Sequence, residues 1–265
     1  MTTVSAIIPT YNGETFIARA IESAQAQTVP PDEIVVIDDA STDGTTQLVA
    51  TRFPRVRLVR LAGNVGSGAA RNVGIAASTG EILAFLDHDD AWQPGYVAAQ
   101  VKAMASDPGI VLSRTALMTV DSATGQSVRF GVAALKSRDD AIEQLLVGRN
   151  PFVTLSIIAV RRSAMNRVGW FDASLRLLND RDLYLKLIDA GRFAGIGTAL
   201  CTKYQHAGNQ LYERGGATWL AEQLTIINRF FANPANNGFR RLEAKARRRA
   251  RERVAQAMAS RRQVG

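Results

Sequence analysis

Three carboxylates and an imidazole fall on four successive positions, Asp87, His88, Asp89 and Asp90, directly after the apolar run 82–86. Acidic side chains this close repel one another unless a positive charge sits among them. A hard divalent cation with oxygen ligands is the natural neutraliser, and Mg²⁺ typically takes one or two carboxylates plus the phosphates of a substrate. A solvated acidic turn leading into the helix that starts near Pro94 is the competing reading, because Asp is common in loops. A second pair, Asp38 and Asp39, closes the apolar run 33–37. There Asp39 could accept from a base N–H or a ribose hydroxyl. It could also cap the next helix, although Thr42 and Asp43 are better placed for that. Arg71 follows the loop Gly66-Ser67-Gly68 and suits either a nucleotide or a structural ion pair.

The elements that must hold these groups can be read from periodicity. Short apolar runs at 4–8, 33–37, 56–59 and 82–86 read as buried strands. Helical patterns at 14–27, 45–52 and 69–77 separate them, the first with Phe16, Ile17, Ala20, Ile21 and Ala24 on one face. This alternation predicts a Rossmann-like, mostly parallel sheet with helices on its faces, and such sheets bind ligands at the carboxyl ends of their strands. The glycine loop follows the third strand, whereas a nicotinamide fingerprint follows the first, so that cofactor is not expected. Beyond Trp92 the pattern is more mixed. Helices are expected at 95–105, 138–147, 161–168 and from Asn179, strands at 110–112 and 153–160, and a hairpin within 117–130.

Bulk composition narrows the function further. The 265 residues are 46% hydrophobic and 21% charged, ordinary for a globular chain. No apolar run approaches the ~18 residues that cross a bilayer, and no signal-peptide pattern precedes the first strand. The single cysteine, Cys201, fits a reducing, cytoplasmic compartment and inert packing. The net charge of +8 is carried by residues 240–265, so the body is neutral and nucleic acid is not an expected partner. That tail has a thin, mostly Ala apolar face. It can touch anionic lipid at the inner face of a membrane through 240–262, or, more economically, pack on the body as a solvated helix.

Four stretches stand in the order and spacing of glycosyltransferase family 2: Ile8-Pro9-Thr10-Tyr11-Asn12, residues 36–45, residues 68–74 and residues 85–92. The chain resembles that family strongly over 4–107 and more weakly to about 210. The resemblance implies the GT-A fold and an inverting, metal-dependent enzyme. Such an enzyme moves sugar from a UDP- or TDP-sugar to a hydroxyl on a glycan, lipid-linked glycan or small molecule. Polysaccharide, cell-envelope or glycoconjugate synthesis is the implied setting. It also implies a catalytic domain over 1–212, with a nucleotide-sugar half at about 1–107 and an acceptor half at about 108–212, and a helical extension over 213–265. A non-catalytic nucleotide-binding module of the same fold is the alternative.

Roles carry over position by position. Pro9, Thr10, Tyr11, Asp39 and Arg71 would cradle the base. Asp87, Asp89 and Asp90 align with the DXD region, Asp87 on the ribose side and Asp89 and Asp90 toward Mn²⁺ or Mg²⁺. His206 falls where relatives often carry a His, able to complete a metal shell or touch a phosphate, or simply to lie on the surface. An attacking hydroxyl must lose a proton, and Asp180 is the best-placed base. Relatives typically read Glu-Asp there; this chain reads Asn179-Asp180. A purely structural role at the helix N-terminus is the other reading of Asp180 and the expected one of Asp182.

Overall fold

Every residue of β1 (Val4–Thr10) is buried, which requires cover on both faces of the sheet. The computed structural model describes residues 2–132, 135, 137–148, 150–206 and 216–262, the last six as backbone only. β1 pairs in parallel with β2 (Glu33–Asp38) on one side and β4 (Ile82–Phe85) on the other, and β2 pairs in parallel with β3 (Arg57–Arg60). Three helices join these strands: α1 (Ile17–Gln25), α2 (Thr45–Arg52) and α3 (Ser67–Ala77). α1 turns Ile17, Ala20, Ile21 and Ala24 inward, as its spacing predicts. α3 lies close on the sheet: a Cβ on Gly74 would stand 2.5 Å from Ile7 Cγ2 and 2.6 Å from Ile37 Cδ1.

The second half extends the same sheet with mixed pairing. Across the described strands the order is β3-β2-β1-β4, then β8 (Ile158–Arg161), β6 (Ile110–Asp121), β9 (Arg192–Gln205) and β5 (Asp90–Trp92), with β7 (Ser127–Phe130) hairpinned onto β6. β6 (Ile110–Asp121) fuses the strand expected at 110–112 with the first arm of the expected hairpin. β9 (Arg192–Gln205) runs parallel to β6 and antiparallel to β5 (Asp90–Trp92). The sequence reading contained neither β5 nor β9. α4 (Tyr96–Ala105), α5 (Arg138–Leu146), α6 (Arg162–Val168) and α7 (Asn179–Ile188) complete this half.

The strand expected over 153–160 is a correction. Leu155–Ile157 is a 3-10 turn, and β8 begins only at Ile158 and runs to Arg161. Thr154 bends the chain by accepting the Ser156 N–H on its Oγ1 at 3.2 Å. The helix expected at 14–27 likewise shortens to α1, because residues 13–16 form a turn in which Phe16 and Ile17 both donate to the Gly13 carbonyl. The boundary expected at 212/213 lies outside the described residues. Beyond it, α8 (Gly216–Ala232), a 3-10 helix (Pro234–Leu242) and α9 (Glu243–Arg262) lie against the body. No described helix is long and apolar enough to cross a membrane.

Candidate active site

Topology alone locates the crevice. From β1 the chain moves outward through β2 and β3, then returns to the other side of β1 as β4. Ligands of open α/β sheets bind outside the strand ends at such a reversal. Leaving those ends are Thr10 and Tyr11 from β1, Asp38 and Asp39 from β2, and the acidic stretch from β4. Two residues of the rim, Asn12 (φ 49°) and Ala40 (φ 62°), occupy the left-handed region. They are latched together: Asn12 N–H donates to Ser41 Oγ at 2.9 Å, and Asn12 Oδ1 accepts from Thr42 N–H at 2.8 Å. Backbone held this way persists only when its surroundings over-determine it.

Asp87, Asp89 and Asp90 each direct one carboxylate oxygen into a space where the three oxygens lie within 4.8 Å of one another. Thr154 and Ser156 underpin them. Asp90 Oδ2 accepts from Ser156 Oγ at 2.6 Å and Thr154 Oγ1 at 3.1 Å, while its buried Oδ1 has no hydrogen-bond partner among the described residues. Burial, reinforced by Asp87 and Asp89 and opposed by Lys203, pushes the Asp90 carboxyl up to about 7. Asp87 goes the other way. Burial would raise it, but Arg71 at 2.6 Å, Lys203 and the Thr154 hydroxyl at 2.9 Å hold it below the usual carboxylate range. Lys203 stands opposite Asp90 in the β5–β9 register. Burial lowers its pKa, and the three carboxylates more than restore it.

Asp89 is held from outside. Arg19 Nη2 donates to its carbonyl at 2.9 Å, and His206 Nε2 lies 3.2 Å from its Oδ2. The His206 ring stacks on Phe16 at 4.3 Å, and the Arg19 guanidinium sits 3.5 Å over the Tyr204 ring. Hard oxygen donors, an imidazole at the edge and a buried carboxylate oxygen with nothing to bond fit Mg²⁺ or Mn²⁺. The bland alternative of a turn capping α4 is not what these carboxylates do: α4 has no side-chain cap.

Arg71 connects this cluster to a fourth carboxylate, that of Asp180. It lies on the buried face of α3, pairs with Asp87 through Nη2, and has the Phe171 ring 5.7 Å from its guanidinium. Asp180, in the first turn of α7, accepts from Arg181 N–H at 2.7 Å and Asn150 Nδ2 at 3.2 Å. Burial raises its carboxyl pKa, with Arg181 and Arg71 pulling against that rise. One guanidinium therefore acts both on Asp87, which follows β4, and on Asp180 in α7.

The remaining expected residues are placed unevenly. Pro9 and Thr10 are buried in the rim, Thr10 Oγ1 without a hydrogen-bond partner among the described residues, and Tyr11 is 46% exposed beside them. The Asp39 carboxylate accepts from the backbone N–H of Val65 at 2.7 Å and Gly66 at 2.9 Å, tying the rim to the glycine loop rather than capping α2. Gly66 needs its φ of +88° to turn both amides that way. Asp38 faces Ser41 N–H at 2.9 Å and the Thr46 hydroxyl, a local role. Phe171 is core, edge-on to Phe85 at 5.4 Å, and Asp182 pairs with Lys186 at 2.8 Å. Cys201 is buried, and burial pushes its thiol far up, so it is inert.

Sequence reasoning missed Thr154, Ser156, Asn150 and Lys203. The hydroxyls sat inside an apparent strand. Lys203 shares a strand face with Cys201, a two-residue alternation that was legible once 192–205 was read as extended.

The fold is an α/β domain of the GT-A type. Residues 5–169 match the family model for glycosyl transferase family 2, and the chain belongs to that family. It is 35% identical over 198 residues to the succinoglycan biosynthesis protein ExoO of Rhizobium meliloti, covering 71% of this chain and 56% of that protein. Chondroitin synthase of Escherichia coli is 28% identical over 210 residues, 78% of this chain and 29% of that one. The chain thus spans about half or less of these two relatives. Among solved structures, S. aureus TarS 1–349 with UDP-GlcNAc superimposes with a TM-score of 0.65 at 22% identity, over 97% of this chain and 81% of that one. The mannosyltransferase PcManGT of Pyrobaculum calidifontis, with GDP-Man and Mn²⁺, gives 0.64 at 22% identity, over 99% and 75%. At that identity the likeness speaks for the fold.

Proposed function

We propose that the chain is an inverting glycosyltransferase that uses a UDP- or TDP-sugar, depends on Mn²⁺ or Mg²⁺, and glycosylates a hydroxyl in polysaccharide or glycoconjugate synthesis. One observation carries this reading: Arg71 couples the three-carboxylate cluster to a second, burial-raised carboxylate across the crevice. Neighbouring structures that hold UDP-GlcNAc, or GDP-Man with Mn²⁺, support a nucleotide-sugar donor.

In this mechanism Pro9, Thr10, Tyr11 and Asp39 frame the base, with Tyr11 offering an exposed ring to stack on it. Arg71 and Asp87 reach the ribose and phosphate side. Asp89 and Asp90, with His206 at the edge, would hold the cation, which when bound stabilises negative charge on the departing diphosphate. Asp180 takes the proton of the acceptor hydroxyl as its oxygen forms the new bond to the anomeric carbon. The old carbon–oxygen bond breaks at the same centre, its electron pair leaving on the diphosphate. Attack opposite the leaving group inverts the configuration.

The partition into a catalytic domain over 1–212 and an extension over 213–265 belongs to this proposal, as does a cytoplasmic setting. Exposed Arg248, Arg249 and Arg251 on α9, with Arg241 just before it, leave a cationic outer face for peripheral contact with anionic lipid. A thermal-shift screen tests the donor and cation. UDP-GlcNAc, TDP-glucose and GDP-Man are added with Mn²⁺ or with EDTA. A rise in Tm for the UDP or TDP sugar only with Mn²⁺ is expected. No shift with any nucleotide sugar would remove the reading, and a shift without later turnover would favour the non-catalytic module.

A further inference from the structure

The loop that leads into α7 is clamped from a distant part of the chain. An α-helix leaves its first backbone N–H groups without partners, and a nearby side chain usually supplies the acceptor. α7 starts after Leu178, whose apolar side chain caps nothing, and within its first turn Asp180 Oδ1 takes the Arg181 N–H at 2.7 Å. The carboxylate of Glu222 on α8 takes the three amides that lead up to the first helical residue, the last of them that of Leu178 itself. Its Oε1 accepts from Arg176 N–H at 2.8 Å, and its Oε2 accepts from Leu177 N–H and Leu178 N–H, both at 2.9 Å. Glu222 is 7% exposed, so these three bonds form away from bulk water. A carboxylate at this end of a helix is also favoured by the helix dipole, and charge-assisted bonds of this kind are roughly twice as strong as neutral ones.

We propose that Glu222 is a positioning residue for catalysis: the C-terminal helix α8, through this carboxylate, fixes loop 176–178 and so sets where Asp180 stands. Asp180 is two residues beyond the last clamped amide. Among the described residues its carboxylate is held by Arg181 N–H, within the same turn, and by Asn150. The neighbouring contact of Arg181 Nη1 with Gln223 Oε1 at 2.8 Å ties the same turn to the same helix. α7 and α8 both lie beyond residues 5–169, so the device sits outside the stretch that matches the family model. The inference rests on Asp180 being the base, and the two can fail separately.

The test compares wild type, Glu222→Gln, and Ile227→Val as a control that trims a fully buried side chain on the same helix. Gln keeps one carbonyl oxygen for two of the amides and turns an NH₂ toward the third. Three readouts are expected. The amides of 176–178 exchange slowly in wild type and about tenfold or more faster in the Gln variant. The Asp180 carboxyl, followed by ¹³C NMR, titrates lower in the variant because a loosened loop admits water. Turnover falls by up to about a hundredfold, the cost of a misplaced group, while UDP affinity stays within a fewfold. The charged groups facing Asp180 are Arg181 on its own helix and Arg71 from α3, with Tyr184 beneath it, and none is altered. Ile227→Val moves only Tm. Wild-type amides at 176–178 that exchange as an open loop would overturn the proposal even if no variant folded. So would a folded Glu222→Gln protein with unchanged Asp180 titration and turnover. Full turnover by Asp180→Asn would instead remove the base assignment and leave the amide result to be judged alone.

Discussion

At the scale of single residues, the site is organised by cations placed inside the protein rather than by carboxylates alone. Arg71 fixes the charge of Asp87, and Lys203 faces all three acidic groups from β9. Lys203→Met should therefore destabilise the metal-free protein. Breaking a fully buried pair costs about 3–5 kcal/mol; Lys203 keeps partial exposure, so a loss of about 2 kcal/mol is expected in urea melts. Mn²⁺ should recover more stability in this variant than in wild type, and an unchanged melt would remove Lys203 from the cluster's electrostatics. As the proposed base, Asp180 should carry the pH dependence of activity. Its pKa is raised from 3.8 by burial, and a base works only when ionised. The acid limb of kcat should lie above the ordinary Asp value, and activity should fall as pH drops through it. The stability sign is opposite. A raised carboxyl favours the folded state below 3.8 and loses that contribution as pH rises through the folded value. A limb at or below 3.8 would contradict the burial argument.

At the scale of elements, the close approach of α3 to the sheet makes a sharp prediction at Gly74. Replacing Gly by Ala in a helix gains about 1 kcal/mol of propensity. Here the new methyl meets Ile7 Cγ2 and Ile37 Cδ1 at 2.5 and 2.6 Å, and overpacking typically costs about 1–3 kcal/mol. Ile7 is β-branched and stiff at χ1, so overpacking should win. Gly74→Ala should lower the urea midpoint, and a higher midpoint would mean that α3 rides further from β1 and β2. The four parallel strands and their helices were legible because apolar runs of the right length alternate with helical faces. β9 was not, because its 14 residues include Gly195 and Gly197 and its exposure follows no clean alternation. β5 was hidden by being three residues long and by containing Asp90 itself. The acidic cluster, Arg71 and Asp180 could be found from residue type and family resemblance. Their supports could not, since Thr154, Ser156 and Lys203 act through contacts 64 to 69 or more than 100 positions away.

At the scale of the whole molecule, the basic tail is part of the body. α9 buries Leu242 at its approach and Ala246 and Ala250 along its length. Lys245 reaches Glu143 at 2.9 Å, Arg247 reaches Asn228 at 2.8 Å, and Arg253 bonds the Val147 carbonyl at 3.3 Å and that of Gly148. Removing the chain after Gly238 should therefore expose α8 and lower Tm, at about 2–4 °C for each kcal/mol lost in a protein of this size. An unchanged Tm would show α9 to be dispensable packing, leaving only its outer arginines to explain. Because α8 also clamps the loop before Asp180, the truncated chain should lose turnover in step with stability.

The most direct measurement is the rate at which Asp180→Asn, saturated with the nucleotide sugar and Mn²⁺ that stabilise the wild type, releases nucleoside diphosphate. Removing a general base costs about 10²–10⁴-fold, and the account predicts a fall in that range with donor affinity within about twofold. Turnover near the wild-type rate would contradict it, because a carboxamide at that position cannot take the proton.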